Sequence, residues 1–166
     1  MNILDKIVAS KRLEVLQKKQ DRPLSSLASE AFYRRRTNAV SLPGTGGRAG
    51  IIAEFKRRSP SRGLIHPNAD AVNVALAYER AGAAAMSILT DRDFFGGSLS
   101  DLEQVRRACP RLVLLRKDFT LDPYQLHEAS AHGADMVLLI AAILDKHEVE
   151  DLTLEADSLG LSLIHI

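Results

Sequence analysis

Apolar residues fall along this chain in two regimes. Ile3, Leu4, Ile7, Val8, Leu13, Val15 and Leu16 recur among Lys6, Lys11, Arg12, Lys18 and Lys19, the stripe of an amphipathic helix that should end near Asp21-Arg22-Pro23. Residues 23–49 carry no sustained period and close in Leu42-Pro43-Gly44-Thr45-Gly46-Gly47, which predicts a short helix over Leu24–Arg35 followed by a loop. From Gly50 onward, short continuous apolar runs alternate with longer stretches of helical spacing. The runs predict strands at Ile51–Lys56, Ala85–Leu89, Leu112–Lys117, Met136–Ile140 and Leu161–Ile166. The stretches between them predict helices near Ala69–Ala81, Ser98–Ala108, Pro123–His132 and Lys146–Leu159, with Gly82, Gly133 and Gly160 placed as C-terminal caps.

Strands apolar on both faces belong to a parallel sheet covered by helices, so the fold class is α/β. Repeated βα units fit a doubly wound sheet or a (β/α)8 barrel. Two features favour the barrel. Polar residues cluster at the C-terminal ends of the strands: Glu54 and Lys56, Thr90 and Asp91, Lys117 and Asp118. The glycine fingerprint of a dinucleotide-binding first turn is missing.

Composition then narrows the class. The chain has 166 residues, 46% hydrophobic and 26% charged, as expected of a soluble globular domain. No run approaches the roughly 18 apolar residues of a membrane helix. With 22 basic against 21 acidic side chains, no large basic field is available, which argues against a dedicated nucleic-acid binder. The Arg34-Arg35-Arg36 run reads better as a solvated helix end than as a phosphate patch. One cysteine, Cys109, excludes an intramolecular disulfide framework, and the N-terminus lacks a secretory h-region, so the expected location is cytoplasmic.

Candidate chemistry concentrates at the strand ends. In Ile51-Ile52-Ala53-Glu54-Phe55-Lys56, residues two apart share a face, so Glu54 and Lys56 should point into the barrel while Phe55 packs outward. The competing reading is an ion pair kept for specificity, although such pairs add little net stability. Ser59-Pro60-Ser61-Arg62-Gly63 would form the first βα loop, offering hydroxyls, a cation and backbone N–H groups to an anion, or else a plain turn. Lys117, facing inward, should meet Lys56 across the mouth, and two close ammonium groups would depress at least one pKa, suiting a general acid. The loop Asp91-Arg92-Asp93-Phe94-Phe95-Gly96-Gly97-Ser98 offers a phenylalanine to cover an aromatic ligand, or two that merely cap the barrel. The five histidines show no metal-ligand spacing and read as surface or structural.

Together these segments resemble indole-3-glycerol-phosphate synthase. Ile51, Ile52, Glu54, Phe55, Lys56, Ser59 and Pro60 match that family's signature, and Ile3–Val8 is similar to its extra N-terminal helix. Ser87-Ile88-Leu89-Thr90 with Phe95, Gly97 and Ser98 looks like its second strand and loop, Arg116-Lys117-Asp118-Phe119 its third strand, and Ala134–Ile140 its fourth. The resemblance implies a tryptophan-biosynthesis lyase that needs no metal or organic cofactor. It would close the ring of 1-(2-carboxyphenylamino)-1-deoxyribulose 5-phosphate with loss of CO₂ and water. By the same resemblance Lys117 is the general acid, Lys56 pairs with the substrate carboxylate and Glu54 orients the lysines and sugar hydroxyls. Ser59 and Pro60 bind in the first loop, and Phe95 packs on the anthranilate ring. The partner is thus a small anionic phosphosugar-anthranilate, with no nucleic acid and no membrane.

The departures from the family are as informative. Its strand-five glutamate would fall near Ile166, and its later asparagine and phosphate-binding loops have no counterpart here. A (β/α)8 barrel takes about 250 residues. The expectation is therefore a C-terminally truncated enzyme: a helical extension and loop over 1–49, the first half of the barrel over 50–160, and a non-native tail over 161–166. Leu161–Ile166 matches the translation of a common transposase sequencing adapter. An open half-barrel would expose its inward apolar residues and two sheet edges, self-associate, and turn over at trace level. Two other readings stand beside this one. A phosphoribosylanthranilate isomerase relative explains the alternation but not Glu54-Phe55-Lys56 with Ser59-Pro60, and a non-catalytic half-barrel scaffold predicts a compact dimer.

Overall fold

In the computed structural model of the chain, which describes residues 2–38 and 50–166, the α/β alternation is present almost residue for residue. The loop expected at Leu42–Gly47 lies outside the described residues. The order is α1 (Ile3–Asp21), α2 (Leu24–Ala28), β1 (Ile52–Phe55), β2 (Arg58–Ser59), β3 (Gly63–Leu64), α3 (Ala71–Arg80) and β4 (Ala85–Leu89). There follow α4 (Leu99–Ala108), β5 (Val113–Lys117), α5 (Pro123–Ala131), β6 (Met136–Leu139), α6 (Lys146–Ser158) and β7 (Ser162–His165). Five strands form one parallel sheet in the order β1-β4-β5-β6-β7, an open section of a (β/α)8 barrel with β1 and β7 at its edges. The hairpin β2–β3, unforeseen in the sequence, sits inside the loop that follows β1.

Local chemistry explains the boundaries. Asn2 and Asp5 form a reciprocal capping box at the start of α1, and Asp145 with Glu148 does the same for α6. Asp70, Ser98 and Asp122 cap α3, α4 and α5, the last with Pro123 in the first turn. Gly82, Gly133 and Gly160 follow α3, α5 and α6 at φ of 80°, 85° and 69°, where a side chain would be strained. Gly97 is required for another reason: a Cβ there would lie 2.1 Å from the Leu89 carbonyl oxygen, so the loop after β4 can fold back on the strand end only without a side chain.

The sheet buries both faces. Met86, Ile88, Leu114, Val137 and Leu139 pack outward against Leu102, Val105, Leu126 and Leu152 of the helices. Inward, Ala85, Val113, Leu115, Met136 and Leu138 form a second cluster, each at most 6% exposed. This departs from the expectation that the inward apolar row would face water. These rows pack on one another, with Ile140 and Ile164 against them, and along the sheet exposure is confined to the margins, at Ile51, Ile52 and Ile166.

The arginine run also departs from expectation. Helix α2 ends at Ala28, short of Arg35, and Arg34 takes φ of 52° in a turn. Arg34 and Arg36 are exposed, but Arg35 reaches the fully buried Asp135 just before β6. The Asp135 carboxylate also accepts from Arg106, from Leu114 N at 2.8 Å and from Asn38 N at 2.7 Å. A carboxylate at such depth must be paired, and the pairing clasps the N-terminal segment to the base of the sheet.

Replacing Gly97 by Ala should lower the unfolding free energy in urea by about 1–3 kcal/mol, the usual cost of overpacking. An unchanged denaturation midpoint would show that the loop has room to relax.

Candidate functional site

The rim of the sheet divides its polar residues by strand alternation. Glu54 on β1, Lys56 just beyond it and Lys117 at the end of β5 point inward, whereas Phe55 is buried on the helix side. The β4 strand lies between, pairing Glu54 with Ser87 and Leu89 with Lys117, so the three charged groups meet across it. The two lysines do not confront each other directly as expected; a carboxylate stands between them. Lys56 Nζ donates to Glu54 Oε1 and Lys117 Nζ to Oε2, both at 2.6 Å. Each of the three side chains keeps about a third of its surface exposed. Burial works against the charge on Glu54, but the hydrogen bonds from Lys117 and Lys56, with their charges, outweigh it and hold the carboxyl below its ordinary value of 4.5.

These groups open onto a cavity of about 170 Å³, whose remaining walls include Leu89, Phe95, Phe119, Leu138 and Ile166. The Phe95 and Phe119 rings lie 6.0 Å apart at 37°, a tilted pair at one side. A second, more open cavity of about 600 Å³ shares Lys56 and Phe95 and is floored by Ser59, Pro60, Ser61 and Arg62. All six residues singled out from sequence, Glu54, Lys56, Ser59, Pro60, Phe95 and Lys117, therefore line two adjoining cavities. Ser59 is buried, its Oγ accepting from Arg62 N at 3.2 Å to brace the first loop. Arg57 fixes the same loop from outside through a bidentate pair with Asp101 at 2.5 and 3.0 Å.

Sequence reasoning missed three contributors. Ile3 and Ile7 of α1 wall the second cavity, Phe119 walls the first, and a buried charge network backs both. Thr90, Asp91 and Asp118, expected at the rim with the site residues, belong mainly to that network. Lys11, only 1% exposed, contacts Glu14, Asp91 and Asp118 at 2.6, 2.9 and 3.0 Å. Arg116 joins Asp118 at 3.1 Å to Glu128 at 2.7 Å and donates to the Gln125 carbonyl. Burial alone would strip the Lys11 proton; Asp118, Glu14 and Asp91 reverse that and raise its pKa. Burial would likewise favour the neutral form of Asp118, yet Arg116 and Lys11 drive its pKa far down. The signal was present in the sequence: Lys11 interrupts the buried line Ile7–Lys11–Val15 at helical spacing.

The geometry can be set beside known proteins. The family model described as indole-3-glycerol phosphate synthase matches residues 4–165. The chain belongs to the indole-3-glycerol phosphate synthase family. Relatives carrying that name are 44% identical over 167 residues in Aromatoleum aromaticum, 40% over 172 in Polynucleobacter asymbioticus and 44% over 166 in Burkholderia ambifaria. Each alignment takes in 98% of this chain, which spans 63%, 64% and 63% of those synthases respectively. No helix among the described residues is long and apolar enough to cross a membrane.

A depressed carboxyl pKa carries a definite pH dependence. The stabilisation that Glu54 derives from its lysines is complete above its unfolded value of 4.5 and is lost as pH falls through the lower folded value. Carbon-13 NMR of the Glu54 carboxyl should give a midpoint below 4.5, rising when Lys117 or Lys56 is replaced by Met. A midpoint at or above 4.5 in the parent chain would contradict the arrangement.

Proposed function

We propose that the site performs the family's carbon–carbon ring closure on 1-(2-carboxyphenylamino)-1-deoxyribulose 5-phosphate, yielding indole-3-glycerol phosphate with loss of CO₂ and water. The observation that carries this reading is the Glu54 carboxylate held between two ammonium groups beside the Phe95–Phe119 pair. The flat, apolar ring of the substrate suits the phenylalanines, and its carboxylate suits Lys56. The ring carbon bearing that carboxylate attacks the ribulose carbonyl carbon, and Lys117 protonates the carbonyl oxygen as the C–C bond forms. Loss of CO₂ restores the aromatic electrons, and loss of the new hydroxyl together with a hydrogen of the neighbouring N-bearing carbon, as water, forms the double bond that completes the pyrrole ring. Glu54 holds Lys117 and Lys56 apart and in place while offering an acceptor to the sugar hydroxyls. Ser59 and Pro60 shape the first loop around the ligand.

The open sheet supports a second proposal, that the chain as it stands self-associates through its free edges. Strands β1 and β7 each lack a neighbour on one side among the described residues, and Ile51, Ile52 and Ile166 are exposed there. Edge pairing between copies would remove both liabilities.

The catalytic reading is tested by joining residues 1–160 to the part of the Aromatoleum synthase that follows the equivalent position, and following indole-3-glycerol phosphate. Turnover is expected, and Lys117→Met should lower kcat by about 10²–10⁴-fold, the usual range for a general acid, with little change in KM. Full activity in that variant would remove Lys117 from the chemistry. Sedimentation velocity of the 166-residue chain should show mass rising with concentration; a monomer throughout would refute association through the edges.

A further inference from the structure

The ammonium of Lys11 comes from α1, outside the sheet, yet it contacts the residue groups that follow two different strands. Asp91 follows β4 and begins the loop that carries Phe95. Its Oδ1 accepts from Phe94 N at 2.8 Å, its backbone carbonyl accepts from Gly97 N at 2.7 Å, and its Oδ2 lies 2.9 Å from Lys11 Nζ. Asp118 follows Lys117 directly. Its Oδ1 accepts from Phe119 N at 2.8 Å and lies 3.0 Å from the same Nζ, while its Oδ2 accepts from Thr90 Oγ1 at 2.6 Å. The backbone is tied at the same level, Thr90 N donating to the Lys117 carbonyl at 3.1 Å.

We propose that Lys11 is a positioning residue: by standing between Asp91 and Asp118 it holds together the two loops that bring Phe95, Phe119 and Lys117 to one cavity. The meaning of those positioned groups rests on the reaction proposed above; the positioning does not.

The charge arrangement explains why a lysine stands there. Both carboxylates are buried, at 1% and 3% exposure. Asp118 has Arg116 as a second cation, whereas Lys11 is the one cation paired with Asp91 among the described residues. Without it, two buried anions on separate loops repel, and the loop carrying Phe95 is the one left unheld. A helix fastened only by apolar contact would place another Ile or Val between Ile7 and Val15. Burial of the amine is tolerated because three carboxylates, Glu14, Asp91 and Asp118, surround it, and Glu14 is in turn bridged to Lys18 at 2.8 Å.

The test is NMR of the ligand-free chain, so that failure of the proposed chemistry leaves its readouts untouched. Two signals are followed, the NOE between the Phe95 and Phe119 rings and the nitrogen-15 resonance of Lys117 Nζ. Lys11→Met should lose the ring NOE and shift the Lys117 resonance while the remaining sheet signals stay in place. Lys11→Arg, which keeps the cation, should restore both in part. If Lys11→Met does not fold, Lys11→Met combined with Asp91→Asn has one cation and one anion fewer and makes the same comparison. Both signals unchanged in a folded variant lacking the Lys11 charge would overturn the proposal, because a residue that only fastened α1 would lower stability without moving them.

Discussion

The structure depends on the two-residue period of its parallel strands. Along β5 that period sends Leu115 and Lys117 inward and Leu114 and Arg116 outward, and along β1 it sends Glu54 inward and Phe55 outward. Because both faces are covered, a charged residue near a strand end has only two destinations. Turned inward it joins the mouth of the sheet, where solvent and a ligand can reach it. Turned outward it is sealed beneath a helix and must find partners from the protein. Lys117 takes the first path and Arg116 the second, so adjacent residues serve opposite purposes.

Those sealed charges form two groups at opposite ends of the sheet. Lys11, Asp91, Asp118, Arg116 and Glu128 lie at the rim, and Asp135, Arg106 and Arg35 at the base. Buried ion pairs contribute little net stability relative to apolar packing, but losing one partner costs about 3–5 kcal/mol. Their effect is therefore on arrangement. Each group accepts only one placement of the N-terminal segment, which is held at both ends of the strands while α1 supplies Ile3 and Ile7 to a cavity wall.

Much of this was legible in the chain. The strands and helices after Gly50 follow from runs of apolar residues punctuated by Asp, Ser and Gly, and the inward pair Glu54 and Lys56 follows from simple alternation. The spacing Ile7–Lys11–Val15 hints at the buried Lys11, but it does not settle it, and nothing local marks the half-buried Arg35: patterning ranks lysine and arginine as surface residues, and only their distant partners, Asp91, Asp118 and Asp135, make these positions tolerable. The Arg34–Arg36 run reads as a helix end for the same reason. Hairpin β2–β3 escaped notice since two-residue strands leave no period to detect. Phe119 stands in the run Arg116-Lys117-Asp118-Phe119, but its place in the cavity depends on a ring from another loop.

One feature of the site governs how anything charged can enter it. Glu54 gives one carboxylate oxygen to each lysine, so at rest the trio is internally satisfied and carries one excess positive charge. A carboxylate guest brings the cluster to neutrality, and it meets two ammonium groups already anchored by Glu54. Each ammonium has three N–H donors and spends one on Glu54, so a guest can share the lysines without displacing the carboxylate. Binding at this mouth is then a sharing of donors: Glu54 spends one lone pair per oxygen on its lysines and keeps the others for hydroxyl donors, so the frame that receives the guest need not come apart to hold it.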